Sequence, residues 1–252
     1  MTTDSARGFT IIEVVLFLAI SGAIFSALML GVGTGIAQQR YIESVRSFKA
    51  ILQNEFEEVQ NTHNGEAVDV QCDVSTRTVV DGSSSRTPTR GSSQCVMLGR
   101  AIQLTNGGSS VKVSSVIGYE DAVTVTTVGE QNDVAALRAL SPQFGAFQSD
   151  EIDLDWGSRV RLPGQASNAV VTILIMRSPS SGIVRVFAST DVASTDIIDN
   201  SNSGVTAMVD SCVVAEGIPM PSQLVRVNPG LGTTEAVKIV SPDDPAVEAC
   251  QS

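Results

Sequence analysis

Residues 14 to 37, from Val14 through Ala37, form a run of 24 residues without a single charge. At about 1.5 Å rise per residue, a helix of that length spans roughly 36 Å, against about 30 Å for the hydrocarbon core of a bilayer. The run therefore reads as a membrane-crossing helix, and the rest of the chain must be arranged around it. A secretory signal peptide does not fit, because its apolar region runs to about 7–15 residues. A plain single-pass anchor fits the run itself. Glu13 is the one formal charge between Phe9 and Ala37. A carboxylate at that depth costs several kcal/mol unless it finds a partner, which marks it as a functional candidate.

The residues before the run narrow the choice. Arg7 is followed by Gly8-Phe9-Thr10-Ile11-Ile12-Glu13, and the apolar helix begins at once. This N-terminus resembles that of the type IV pilin and type II secretion pseudopilin superfamily. The resemblance covers residues 1 to about 60, and it implies a set of roles. Residues 1–8 would be a leader removed by a prepilin peptidase between Gly8 and Phe9. Phe9 would then be N-methylated, and Glu13 would serve assembly. Residues 9–37 would be the membrane and filament-core helix, 38–64 its amphipathic continuation, and 65–252 a β-rich globular head. The partners implied are the prepilin peptidase, other pilins or pseudopilins, and an assembly platform in the membrane. The N-terminus would be cytoplasmic and the head extracytoplasmic, with later entry into a pilus or pseudopilus.

The spacing has a chemical rationale. Cleavage turns the amide nitrogen of Phe9 into an amine that can carry positive charge. Glu13 can meet that charge one helical turn away on its own chain, or on a neighbouring subunit. Such a pair is costly to half-remove when buried, so it can set register between packed helices even with little net gain in stability. Glu13 is therefore expected to matter for assembly rather than for insertion. Small residues at Ala19, Ala23, Ala27, Gly31 and Gly35 would let helices approach closely in lipid, although such residues are common in membrane helices in any case. Pilins often carry Gly and Pro in this region. Here Gly22 is present without a Pro, and the Gly31–Gly35 cluster is the other weak point.

Beyond Gln38 the pattern turns amphipathic. Tyr41, Val45, Phe48, Leu52, Phe56 and Val59 recur at steps of three and four, which places one apolar stripe along the helix. Arg40, Glu43, Arg46, Lys49, Glu57 and Glu58 lie largely opposite. The stripe is expected to pack on the head, and Gly65 is expected to end the helix after Thr62-His63-Asn64.

From residue 65 onward the chain holds 21 acids and 12 bases, a net −9. An acidic head argues against general nucleic-acid binding, which needs phosphate neutralisation by Lys and Arg. Aromatic residues at 4% are too few for stacking platforms. Val, Ser, Thr and Gly dominate, which favours strands and turns. Strands are expected around Val68–Val74, Val96–Leu104, Val111–Tyr119, Val123–Val128, Ile152–Trp156, Val160–Leu162, Ala169–Met176, Ile183–Ala188, Val205–Val214, Leu224–Val227 and Ala236–Val240. A short helical turn is expected around Val134–Leu140. Asp81–Ser93, with Arg86 and Arg90, reads as a solvated loop. The hairpin around Pro179-Ser180-Ser181-Gly182 is the clearest, and it is similar to the head of H-type minor pseudopilins. The fold class expected is α+β and pilin-like: a long N-terminal helix on an antiparallel, β-rich head.

The four cysteines, Cys72, Cys95, Cys212 and Cys250, all lie outside the apolar run. An even count in an exported head suggests two disulfides, with three connectivities open. Cys72–Cys95 and Cys212–Cys250 are favoured because each pair brackets one local segment. C-terminal disulfide loops in many pilins match the second.

Catalytic readings are weak. His63 is the only histidine, and no Gly-x-Ser-x-Gly elbow accompanies it. Asp150, Glu151, Asp153 and Asp155 cluster, but alternate strand positions would put Asp153 and Asp155 on one outward, solvated face. No metal site and no cofactor is expected. Calcium is the one ion for which a loop exists: Asp199 to Asp210 reads Asp-x-Ser-x-Ser-Gly and ends in Asp, without flanking helices. Some heads of the family bind calcium in such loops. The function expected is structural: a minor pilin or pseudopilin, minor because the chain is longer than many major pilins. The alternative in another class is a membrane-anchored adhesin or binding module that never assembles. Enzyme function is not expected.

Overall fold

A computed structural model describes residues 10–61, 70–73, 78–81, 95–119, 130–144, 149–165, 170–189, 198, 208–215, 220–231 and 233–250. Helix α1 (Ile11–Gln60) is unbroken over 50 residues, about 75 Å at the usual rise. Gly22 and the Gly31–Gly35 cluster do not interrupt it. Thr10 caps its start in an extended conformation, accepting a hydrogen bond from the Glu13 amide, and Asn61 caps its end. His63, Asn64 and Gly65 lie outside the described residues.

The head is built from antiparallel sheets. A two-stranded sheet joins β1 (Val70–Asp73) to β2 (Thr78–Asp81). A five-stranded sheet has the order β5-β4-β3-β7-β8, from β3 (Cys95–Thr105), β4 (Ser110–Tyr119), β5 (Asp150–Asp153), β7 (Val171–Arg177) and β8 (Val184–Ser189). A four-stranded sheet has the order β11-β10-β9-β6, from β6 (Ser158–Arg161), β9 (Val209–Ala215), β10 (Gln223–Val227) and β11 (Val237–Ile239). Helix α2 (Glu130–Ala139) and the helical turns Thr233–Ala236 and Pro245–Glu248 complete the described elements. The fold is thus α+β, a long helix packed against antiparallel sheets.

The stripe on α1 explains the packing. Tyr41, Val45, Phe48, Leu52, Phe56 and Val59 are all at most 1% exposed. They share one core with Ile102, Leu104, Ile173 and Ile175 of the five-stranded sheet and Val213, Val225 and Val227 of the four-stranded one. Each such side chain contributes about 1.5–3 kcal/mol by leaving water. The two sheets thus meet around the second half of α1.

Strand β7 is buried on both faces, as its nearly continuous apolar sequence predicts. Ile173 and Ile175 face α1, whereas Leu174 and Met176 face a second core with Leu98, Val116, Phe187 and Leu137 of α2. Two glycines permit close backbone approaches. A Cβ on Gly99, at the bulge in β3, would stand 2.0 Å from the Ile175 carbonyl oxygen. Gly108, at φ 86°, lies where a Cβ would meet the Val160 carbonyl at 2.1 Å. It sits in the 3-10 turn Asn106–Gly108 that links β3 to β4.

Several expectations are corrected. The expected strand Ile152–Trp156 ends at Asp153, and Asp155–Gly157 is a 3-10 turn with Trp156 at φ 62°. Gly157, also at positive φ, and the short run of alternation explain why the chain turns there. Asp153 and Asp155 therefore do not share a strand face. The helical turn around Val134–Leu140 is a full helix starting at Glu130. Strand β2 and the turn Pro245–Glu248 were not expected. Val123–Val128 and nearly all of the Asp81–Ser93 loop lie outside the described residues.

Candidate functional site

The feature that sets this chain apart is the half of α1 that the head leaves uncovered. From Ile11 to Ile36 the described large apolar side chains are exposed, from 84% at Ile11 to 45% at Ile36. The helix is long and apolar enough to cross a membrane, and none of its most apolar window is buried within the chain. An uncovered apolar surface of this size needs lipid or protein around it.

Glu13 sits in the first turn. Its amide donates to the Thr10 carbonyl and to Thr10 Oγ1 at 3.3 Å. Thr10-x-x-Glu13 has the spacing of a capping box, and here the capping is made by Thr10, which accepts from the Glu13 amide. Gly8 and Phe9 lie outside the described residues.

Where α1 enters the head, Tyr41 ties it down. Its hydroxyl donates to the Val213 carbonyl at 2.8 Å and accepts from the Gln223 amide at 2.8 Å, with the Pro221 carbonyl at 3.2 Å. Burial pushes the Tyr41 hydroxyl up to about 12, against the opposing effect of the Gln223 hydrogen bond. On another face of the helix, Arg40 lies over the Trp156 ring, 4.3 Å from its centroid. Toward the far end of α1, Arg100 of β3 meets Glu55 at 3.4 Å and pairs with Glu58. Burial raises the Glu55 carboxyl, and Arg100 only partly offsets this.

A second polar cluster lies between α2 and the β7–β8 hairpin. Asp133 accepts from Arg185 at 2.8 Å, from Ser178 at 2.7 Å and from Ser180 at 2.9 Å. Burial opposes its ionisation, but the hydrogen bonds from Arg185 and the serines outweigh this and hold the carboxyl at about 2. A third fastening secures the C-terminal segment. Arg226 holds Asp210 with two bonds, 2.7 and 2.9 Å, and reaches Asp244 at 3.3 Å.

The cysteines are joined as Cys72–Cys95 and Cys212–Cys250. Cys212 and Cys250 are fully buried with Leu224, Val240 and Val247 on the outer face of the four-stranded sheet. Arg161 donates to the Cys250 carbonyl at 2.7 Å, a further tie on the same segment.

Among the described residues the candidate metal-binding groups form no cluster, and His63 and Asp199 lie outside them. Asp150, Glu151 and Asp153 are exposed on edge strand β5. Glu151 accepts from Thr105 and Asp153 from Ser110. Of the Asp199–Asp210 loop only its last residues are described, and there the Asp210 carboxylate is engaged by Arg226. Among the described residues no cluster of His, Cys, Asp or Glu could hold a metal ion.

Glu55, Arg100, Asp133, Arg185 and Trp156 carry structural chemistry that sequence reasoning did not single out. Glu55 had a signal: it lies three residues after Leu52, on the edge of the apolar stripe. The Asp133–Arg185 pair spans 52 residues, and no local pattern announces it. Compared with protein-family models, curated proteins and solved structures, the chain matches none.

Proposed function

We propose that this chain is a structural subunit, a minor pilin or pseudopilin. Prepilin peptidase would cut it between Gly8 and Phe9, and it would be built into a type IV pilus or a secretion pseudopilus. The observation that carries the reading is the union of the Gly8-Phe9-Thr10-Ile11-Ile12-Glu13 motif with the helix it opens. That helix is bare and apolar over its first half, then continues without a break as the packed core helix of a β-rich head. A subunit of this shape can sit in a bilayer as a monomer and exchange lipid for neighbouring helices in a filament. Both environments satisfy the same uncharged surface. The head's polar fastenings and two disulfides suit a rigid body presented outside the membrane.

The deciding experiment is intact mass and N-terminal sequencing of the protein extracted from membranes. A chain beginning at N-methyl-Phe9 is the expected result. A chain still beginning at Met1, in cells with an active prepilin peptidase, overturns the reading in favour of a plain anchor whose head binds a ligand.

A further inference from the structure

We infer that Trp156, stacked on Arg40, is a membrane-interface anchor that rests the head on the phospholipid headgroup layer before assembly. The inference depends on the membrane-crossing reading of α1. Arg40 is the first basic residue after the uncharged run, three residues past Ala37. Three residues of helix advance about 5 Å. Each polar layer of a bilayer is about 5–8 Å thick. With the outer edge of the hydrocarbon core at Ala37, Arg40 and the ring it covers therefore lie at headgroup depth.

The chain presents Trp156 there at a cost. The residue is in the left-handed region, at φ 62°, followed by Gly157 at φ 68°. The turn leaves this large apolar side chain half exposed. Indole rings collect at membrane–water interfaces because the ring is apolar and its N–H is a donor. Arg40 keeps the ring in place from one face and offers its remaining donors to lipid phosphate. The position is continuous with the bare half of α1, so lipid is already adjacent. Asp153 and Asp155 precede Trp156 in the chain, and acidic charge on this segment favours a neutral phospholipid surface over an anionic one.

Trp156 is the only tryptophan in the chain, so its fluorescence reports this site alone. The full chain is reconstituted into phosphatidylcholine vesicles. Flotation is measured first, then quenching by lipids brominated high or deep on the acyl chain, and by acrylamide in the water. The expected result is co-flotation, with a larger loss of emission from shallow bromines than from deep ones and partial protection from acrylamide. Co-flotation with full acrylamide quenching and no lipid quenching overturns the anchor but leaves the membrane-crossing helix standing. Protection from both quenchers also overturns it, because Trp156 is then covered by protein such as a second copy. Failure to float overturns the membrane-crossing reading and the anchor with it.

Discussion

The hydroxyl of Tyr41 and the carbonyl of Val213 meet at 2.8 Å across 172 residues of sequence. That contact fastens the point where α1 leaves the bare half and enters the head. Tyr41→Phe removes the hydroxyl and takes this partner from the buried Val213 carbonyl and the part-buried Gln223 amide. The expected cost is about 1–3 kcal/mol, read as a lower denaturant midpoint with an unchanged slope. An unchanged midpoint would show that water replaces the hydroxyl at this junction.

Arg185 and Asp133 are both nearly inaccessible, at 5% and 1% exposure. Arg185→Met leaves the Asp133 charge buried with only serine donors, at an expected cost of about 3–5 kcal/mol. Replacing both residues with apolar ones should cost less than Arg185→Met alone. Acid should act on the same group. Its folded value is about 2, below the ordinary value of about 3.9. Its stabilisation is therefore complete above the ordinary value and is lost as pH falls through about 2. Asp133→Asn should flatten that part of the pH–stability curve.

Glu55 should behave in the opposite sense. Burial raises its carboxyl above the ordinary range, so its ionised form costs stability at neutral pH. As pH falls through the raised value, the folded state takes up a proton first and gains stability. Relative to Glu55→Gln, the wild-type chain should become more stable between neutral pH and about 4.3. Parallel pH curves for the two proteins would refute this.

The Cys212–Cys250 bridge closes a loop of 38 residues. Loop-closure entropy for that length is worth about 4 kcal/mol. Replacing both cysteines with serine should lower thermal stability by an amount of that order and loosen Val240 and Val247, which hydrogen exchange would detect. The same exchange pattern in both proteins would mean that Arg226 and Arg161 hold the segment unaided.

Glu13 is expected to separate insertion from assembly. Glu13→Leu should still float with vesicles, because the change makes the helix more apolar. Crosslinking of membranes should then show loss of the hetero-oligomer ladder. An intact ladder would overturn the assembly role of Glu13.

Much of this organisation is legible in the chain because it repeats locally. The stripe from Tyr41 to Val59 follows the helical period, and each residue of it is buried. Strand β7 reads as an unbroken apolar run and is buried on both faces. Trp156 shows the limit. Alternation suggested a strand through it, whereas the two positive φ values at Trp156 and Gly157 make a turn. That turn is what carries the ring out of the head and over to Arg40.

The sequence alone determined the long helix, its division into a bare and a packed half, and the motif at its start. Each rests on residue type and spacing within a few turns. Tertiary structure decided which surfaces meet the stripe, how Asp133 finds Arg185, and where Trp156 emerges. Those depend on strand register and on contacts between residues far apart in the chain, and local periodicity does not encode them.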